Sequence, residues 1–385
     1  MRPTLAVLFA TLLAACATQP GGTPAEPSGS ITPDPTALSP TIQPGPSGPA
    51  APSGQVAYVS GADPQIFLLD LATGESRQLT HLVEADARVT SRGPLAPVLS
   101  CAFGPQSLAW SPDGSLLAFS YGSCDAVVHV VDLDGELTRI GDGRGPAWSP
   151  DGRTLVFAPN APFCPGPIAF CGEPPAPGAW NLQVADIDAG TGARPLMEDD
   201  VTQFAGQPAY SPDGSLIAFT ARIPDAAEHP ELFAAAYVAN ADGSDVRLIA
   251  RGAWPTGWLP DGRVVLVDEQ SSELRAVDLQ TTDAEPLGES PGPAALAPDG
   301  SRVLLSKFDP VSGAGSVELR TIDGDALAAL DGSVGGWAPD SGAALVLDLE
   351  ATGGFVVIDR DGAVLETYEL PDPFNVFWVA WRPGS

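Results

Sequence analysis

Short apolar runs separated by turn-forming residues make up most of the chain after its first fifty residues. Examples are LLAF at 116–119, LVF at 155–157 and LIAF at 216–219, each close to the length of an ordinary strand. Apolar residues spaced for helices are not sustained anywhere after residue 16. The Ala-rich segment 231–240 occupies a strand position in the repeat described next. The pattern therefore predicts an all-β chain.

One phrase recurs along the chain and marks a hairpin each time. Ser, Pro, Asp and Gly suit the four positions of a type I turn, because Pro presets φ and the Asp side chain bonds nearby backbone. An apolar strand precedes the turn and another follows it. The phrase AWSPDG at 109–114 returns, with substitutions, at 147–152, 209–214, 257–262, 295–300 and 336–340, and a remnant, AWRPG, stands at 380–384.

The spacing of the copies is that of propeller blades. Equivalent aromatic positions lie between 38 residues apart (110 to 148) and 62 apart (148 to 210), and propeller repeats run about 40–50 residues. The strand at 55–60 has no turn phrase before it, whereas the remnant at 380–384 has no strand after it. We therefore predict seven four-stranded antiparallel blades, the first of which is completed by the C-terminal strand.

At these residues the sequence resembles the TolB-like β-propellers built of WD40-like PD40 repeats. Later parts of that repeat are also present, as IFLLD at 66–70 with LT at 79–80 and VVDLDG at 130–135. The resemblance covers residues 54–385 and implies a propeller that binds partner proteins. The chain departs from TolB itself because a lipobox and a tether take the place of an additional N-terminal domain, so the resemblance does not imply membership of a Tol–Pal system.

The first 53 residues indicate export and anchoring. Residues 1–15 have a short apolar stretch after Arg2, and Leu13-Ala14-Ala15-Cys16 matches the lipobox of bacterial lipoproteins. By that resemblance Cys16 is acylated; the alternative is an ordinary secretory signal with an incidental cysteine. Residues 16–53 contain the lipidated cysteine and a Pro/Gly/Ser/Thr-rich stretch that we expect to be a disordered tether. We expect a monomer on the outer face of the cell membrane or on the periplasmic side of the envelope.

The net charge limits the classes of ligand that the chain can bind, and the cysteine content indicates the compartment. The formal net charge is -30, which disfavours nucleic acid and anionic lipid headgroups as ligands. Apart from Cys16, four cysteines remain, an even number in an exported chain. Four cysteines allow three pairings. From their places in the predicted loops we expect disulfides Cys101–Cys124 and Cys164–Cys171, with zinc binding as the alternative.

The motifs that resemble catalytic sites have structural explanations. GESPG at 288–292 matches a hydrolase string, but prolines and a strand follow it where a nucleophile elbow needs a helix. His81, His129 and His229 fall in different units, so we expect no metal site of the kind some propeller lyases have. Carboxylate pairs recur at one turn of the repeat and are expected to serve it: Asp132/Asp134, Asp186/Asp188 and Asp359/Asp361. We predict no enzymatic activity, no cofactor and no metal.

The longest insertions predict where binding occurs. Naming the strands of a blade a to d, the segments 81–106, 159–179, 221–231 and 307–315 are all b–c loops or d–a links, which share one face. Phe163, Phe170 and Trp180 lie in or beside the largest insertion, as interface contacts or as its own small core. We expect the loops of blades 1–4 to bind an envelope protein or peptide. The alternatives are a small molecule or saccharide in the axial channel, for a sensor or a lyase-like enzyme, and a spacer without a ligand.

Overall fold

The computed structural model describes residues 52–59, 65–82, 105–122, 126–160, 180–190, 192–197, 206–222, 234–308, 315–348, 353–370 and 378–384. These residues form strands and turns, and no helix among them is long and apolar enough to cross a bilayer. In chain order the strands are β1 (Gln55–Val59), β2 (Ile66–Asp70), β3 (Ser76–Gln78), β4 (Pro105–Trp110), β5 (Leu116–Tyr121), β6 (Val127–Asp132), β7 (Leu137–Asp142), β8 (Arg144–Trp148), β9 (Thr154–Ala158), β10 (Gln183–Asp186), β11 (Arg194–Pro195), β12 (Gly206–Tyr210), β13 (Leu216–Ala221), β14 (Ala235–Asn240), β15 (Arg247–Arg251), β16 (Ala253–Trp258), β17 (Val264–Asp268), β18 (Glu273–Val277), β19 (Ala284–Glu289), β20 (Ala294–Leu296), β21 (Arg302–Phe308), β22 (Gly315–Thr321), β23 (Ala326–Asp331), β24 (Ser333–Trp337), β25 (Ala343–Asp348), β26 (Gly354–Asp359), β27 (Val364–Tyr368) and β28 (Val379–Trp381).

The strands form a seven-bladed propeller, which confirms the predicted fold class. Each blade is a four-stranded antiparallel sheet, and blade 1 has the order β28-β1-β2-β3. Blades 2 to 7 follow in chain order from β4–β7 to β24–β27. The first strands of neighbouring blades contact one another all the way round, so the a strands surround the axis and the d strands form the outer edges. The segment predicted as a strand at 231–240 contains β14, which begins at Ala235.

The core of the propeller lies between blades. Seven clusters of buried apolar side chains are resolved among the described residues, and each joins two adjacent blades. Phe119 of blade 2, for example, packs with Leu68 of blade 1, and Phe157 of blade 3 packs with Val130 of blade 2. Because both faces of a blade are apolar, the sheets are stable only when stacked in a ring.

The tryptophans of the turn phrase join neighbouring blades by hydrogen bonds. The indole Nε1 of Trp148 donates to the carbonyl of Ala109 in the preceding blade, at 2.9 Å. The same bond recurs at three other junctions: Trp110 to Ala380, Trp258 to Ala209 and Trp337 to Ala295, at 2.9–3.1 Å. The repeated aromatic therefore packs between blades and also fixes their relative position.

The ring is closed by β28 and by Arg382. Ala380 pairs with Ala57 of β1. The guanidinium of Arg382 donates to the carbonyl of Gly114 (2.7 Å) and to Gln55 Oε1 (2.6 Å), and it lies 5.9 Å from the centre of the Trp110 ring. The C-terminal strand therefore completes the first blade and bonds to the second.

Candidate functional site: the loop face

The two ends of the ring differ in the length of their connections. One end, the turn face, has the a–b and c–d turns, and no connection there between the described strands exceeds seven residues. The other end, the loop face, has the b–c loops and d–a links. Five of its connections have ten or more residues: 79–104, 159–182, 196–205, 222–234 and 369–378. The predicted loop-face position is confirmed for the long connections around 81–106, 159–179 and 221–231. The predicted long segment 307–315 is wrong, because β21 extends to Phe308 and β22 begins at Gly315, which leaves a connection of six residues. Two further long connections, 196–205 and 369–378, were not singled out from the sequence.

The turns of the turn face contain carboxylates that stabilise them through local hydrogen bonds. In the Ser111–Gly114 turn the amide of Gly114 donates to the carbonyl of Ser111 (2.9 Å). Asp113 Oδ1 accepts from the Ser111 hydroxyl (2.6 Å) and from the amide of Ser115 (3.0 Å). These bonds favour the ionised carboxylate, and the Ser111 hydroxyl is the main cause that lowers the pKa of Asp113.

The paired carboxylates of the c–d turns have the same role. Asp132 Oδ1 accepts from the amides of Asp134 and Glu136 at 3.0 and 2.8 Å. Asp359 accepts from the amides two and four residues further on, at 2.9 and 2.8 Å. No group of His, Cys, Asp and Glu placed to hold a metal ion occurs within the described part of the chain. The first carboxylate of each pair therefore bonds to its own turn, as the sequence indicated; in the third pair Asp186 accepts from the amide of Ala189 at 2.8 Å. The second carboxylate can differ, since Asp361 accepts from the guanidinium of Arg302 in blade 6 at 2.8 Å.

Structural contacts occupy two other groups singled out for chemistry, Ser290 and His129, whereas His229 lies outside the described residues. Ser290 is 1 % exposed; its hydroxyl donates to the carbonyls of Gly292 and Pro293 (3.1 and 3.2 Å) and accepts from the amide of Ser306 (3.0 Å). His129 is buried in β6, where its ring stacks on Phe119. Residue 290 lies in the d–a link between β19 and β20, as the prolines that follow it predicted.

A shallow groove of about 500 Å³ opens on blade 1 at the turn face, away from the long loops. Its polar lining takes part in local bonds. Asp70 Oδ1 accepts from the amides of Ala72 and Thr73 at 3.0 Å, and Arg77 donates to the carbonyl of Leu133 in blade 2 at 2.9 Å. These contacts give the groove a structural role at the junction of blades 1 and 2.

On the loop face, the described residues include two large apolar side chains that are exposed. Phe308, at the end of β21, is 60 % exposed, and Trp378, immediately before β28, is 40 % exposed. Exposed aromatics of this size are typical of binding surfaces. Their exposure was not predicted, because the sequence does not distinguish an exposed aromatic at a strand end from an aromatic in the core.

Of the predicted interface aromatics only Trp180 lies within the described residues. It is 5 % exposed, so its side chain is buried. Phe163 and Phe170 lie outside the described residues, as do Cys16 and the four cysteines assigned to disulfides (Cys101, Cys124, Cys164 and Cys171). The interface assignment and the two disulfides stay predictions.

The inner strands of blades 2–4 share a backbone distortion beside the axis. Each strand contains a β-bulge, and the residue three positions before the aromatic has positive φ: Ser107 (55°), Gly145 (61°) and Gln207 (50°). Bulges of this kind redirect side chains and are common next to binding sites. The glycine at 145 was the one sequence signal for this position.

No family model matches the sequence, and no curated protein matches it. Solved structures show that the chain shares its fold with known propellers. The chain is similar to a prolyl endopeptidase (TM-score 0.54, 16 % identity, 86 % of this chain and 51 % of that one). It is also similar to an oligogalacturonate lyase from Vibrio parahaemolyticus (0.51, 17 %, 81 % and 84 %). A similarity to TolB from Acinetobacter baumannii has a TM-score of 0.46 at 16 % identity, covering 86 % of this chain and 67 % of that one. The chain spans about half the length of the prolyl endopeptidase, and the low identities show the fold alone.

Proposed function

We propose that this chain is a lipid-anchored, non-enzymatic propeller of the bacterial cell envelope that binds a protein or peptide through its loop face. The observation that supports this proposal is the difference between the two ends of the ring. The turn face consists of short turns whose polar side chains are used locally, whereas the loop face has the long connections and the exposed Phe308 and Trp378. Loops longer than their connecting role requires are where binding concentrates.

The position of the N-terminal end of the propeller fits such an arrangement. The carbonyl of Gly54 accepts from the amide of Leu71 at 2.9 Å, next to the c–d turn of blade 1. A tether that ends at this point leaves from the turn face. With acylation at Cys16, which the lipobox predicts, attachment at the turn face favours presentation of the loop face away from the membrane.

The anchor itself is tested by the substitution Cys16→Ser. We expect the wild-type protein to incorporate labelled fatty acid and to fractionate with membranes, and the variant to do neither. Fatty-acid incorporation by the Cys16→Ser variant equal to that of wild type would refute acylation at this cysteine.

The binding face is tested by crosslinking in the envelope followed by purification of the full-length protein. One variant replaces residues 161–179 with a short Gly/Ser turn and keeps Asn160, because its side-chain amide donates to the carbonyl of Ala126 in blade 2 (2.7 Å). A second variant is Phe308→Ser. The matched control is Val364→Ser, which removes an apolar side chain of similar exposure (52 %) from the outer edge of blade 7.

We expect a protein partner that crosslinks to the wild type and to the control. Its yield should fall by about tenfold or more when the loop is replaced, and by less in Phe308→Ser, which removes one contact. Equal capture by all four proteins, or no partner with any of them, would contradict the proposal.

A second candidate, a small-molecule site in the axial channel, is favoured by the shared bulges of blades 2–4. Near the loop-face ends of these inner strands lie Gln106, Arg144 and Gln207, which suit a hydroxylated or anionic ligand such as a uronic acid oligosaccharide. The test is thermal unfolding with and without millimolar oligogalacturonate. A rise in the midpoint that disappears in Arg144→Ala would favour this function over protein binding.

A further inference from the structure

The outer edge of blade 6 differs from the other outer edges of the ring. Among the described strands, every d strand has one side without a strand partner, and such edges pair with other chains unless charges, prolines, bulges or short length prevent it. Six outer strands are protected by charged residues, a proline or short length, whereas β23 has only a bulge near its start and one aspartate at its end. β3 and β11 are three and two residues long, β7 contains Arg139 and Asp142, β15 contains Arg247 and Arg251, β19 contains Glu285, Pro286 and Glu289, and β27 contains the inward-pointing Glu366, which is 5 % exposed.

β23 has the sequence ALAALD, and its first five residues are uncharged. Ala326, Leu327 and Ala329 are exposed, while Ala328 and Leu330 turn inward and pack against the cluster between blades 6 and 7. From Ala328 to Asp331 the strand pairs regularly with β22. Alternate residues of such a strand direct their N–H and C=O groups away from the sheet. This stretch therefore offers a regular backbone edge beside apolar side chains.

Leu327 is the second unusual feature of this edge. A bulge in β23 leaves Leu327 as the extra residue. Blade 7 has a bulge at the same position of its outer strand, and there the extra residue, Leu365, packs against the cluster between blades 7 and 1. The outer strands of blades 2, 4 and 5 have bulges further from the c–d turn, and the extra residues also pack with clusters between blades: Ile140, Ile249 and Leu287. Leu327 instead is 36 % exposed.

Charge at the two ends of the edge indicates which strand fits it. Asp323 and Asp325 precede β23 and Asp331 ends it, and all three are exposed. A second copy of this chain would bring the same acidic residues together on molecules of net charge -30. The chain's own segment 17–53 contains no Lys or Arg. An extended segment with alternating apolar residues and a basic residue at each end complements both the apolar centre and the acidic ends.

We propose that β23 is a β-augmentation site that pairs with an extended segment of a partner protein, apolar in the middle and basic at its ends. The backbone of Ala328–Asp331 provides the pairing, and Leu327 provides a lateral apolar contact. The site is separate from the loop face, so replacement of residues 161–179 leaves it intact, and failure of either proposal leaves the other standing.

The test uses a fluorescent peptide of about six residues that alternates threonine and valine between terminal arginines, with blocked ends. We expect binding by anisotropy and slower amide exchange in β23. Leu327→Lys and Ala329→Lys should weaken binding by about tenfold or more, since each places a positive charge beside the basic peptide. Val364→Lys, on the outer strand of blade 7, is the matched control and should leave the affinity unchanged.

Each of five outcomes would overturn the proposal. The first two are equal binding by Leu327→Lys and the control, and equal binding of a peptide whose alternate amides are N-methylated. The third is no binding at millimolar peptide. The fourth is peptide binding that appears only after residues 17–51 are removed, which would assign the edge to the chain's own tether. Concentration-dependent dimerisation that Leu327→Lys abolishes would assign the edge to a second copy and would also overturn the proposal.

Discussion

Two glycines at the same position of adjacent turns allow the packing of the turn face to be tested. Gly262 of blade 5 and Gly300 of blade 6 each donate to the first residue of their turn, at 3.0 and 2.8 Å, and each has positive φ (89° and 70°). A Cβ on Gly262 would have no heavy atom within 4 Å, whereas a Cβ on Gly300 would lie 2.4 Å from Cδ of Pro260 in the neighbouring turn.

The expected costs of alanine at the two positions follow from this difference. An L residue in the left-handed region costs about 1–2 kcal/mol, and this cost applies to both variants. Overpacking against a rigid ring adds about 1–3 kcal/mol for Gly300→Ala alone. We therefore expect Gly262→Ala to lower the free energy of unfolding by about 1–2 kcal/mol and Gly300→Ala by about 2–5 kcal/mol.

The assay is equilibrium urea unfolding followed by tryptophan fluorescence, with Pro260→Ala added to complete a double-mutant cycle. Since Pro260→Ala removes the clashing Cδ, the double variant Pro260→Ala/Gly300→Ala should be more stable than the sum of the single changes predicts, by about 1–3 kcal/mol. Equal destabilisation by the two glycine variants, together with a coupling near zero, would refute the packing of adjacent turns described here.

Three further predictions concern the junctions between blades and the turn carboxylates. Trp148→Phe leaves the buried carbonyl of Ala109 without its indole donor, so we expect a loss of about 1–2 kcal/mol in urea unfolding; an unchanged midpoint would contradict a stabilising role for this bond. Arg382→Ala removes the side-chain bonds that close the ring, and we expect a loss of about 1–3 kcal/mol, with faster proteolysis of the C-terminal residues; wild-type proteolysis would argue against closure through Arg382. The Ser149 hydroxyl is the main cause that lowers the pKa of Asp151 below its usual value, so this carboxylate stabilises the fold above about pH 4, the range of an unfolded Asp. That stability is lost as pH falls through the lower folded pKa, and Asp151→Asn should reduce the acid dependence of the urea midpoint; the same dependence in both proteins would exclude the turn carboxylate as its source.

The candidate site was only partly predictable from the sequence. Loop lengths predicted which face has the long connections, because antiparallel connectivity alone decides which connections share an end of the ring. The exposure of Phe308 and Trp378, by contrast, depends on which side chains neighbouring blades cover. The burial of Trp180, which lies beside the largest insertion, likewise depends on tertiary contacts.

What the sequence determined by itself is local and periodic. The Ser-Pro-Asp-Gly turns, the strands on either side of them and the number of blades follow from residues a few positions apart, so a repeated phrase was sufficient to predict them. The closure by β28 was also predictable, because the first blade has no a strand at the N-terminal end and a remnant of the turn phrase stands at the C-terminal end. The physical reason is that turn geometry and strand pairing within a hairpin depend on short stretches of chain.

The tertiary structure decided everything that depends on contacts between blades. Trp148 donates to a carbonyl 39 residues earlier in the chain, and Trp110 to one 270 residues later, distances at which no local pattern specifies a partner. Leu327 and Leu287 are both leucines at the bulge of an outer strand, yet the first is 36 % exposed and the second is 2 % exposed. Burial is set by the neighbouring blade, so the same residue type in the same local structure forms core at one place and surface at another.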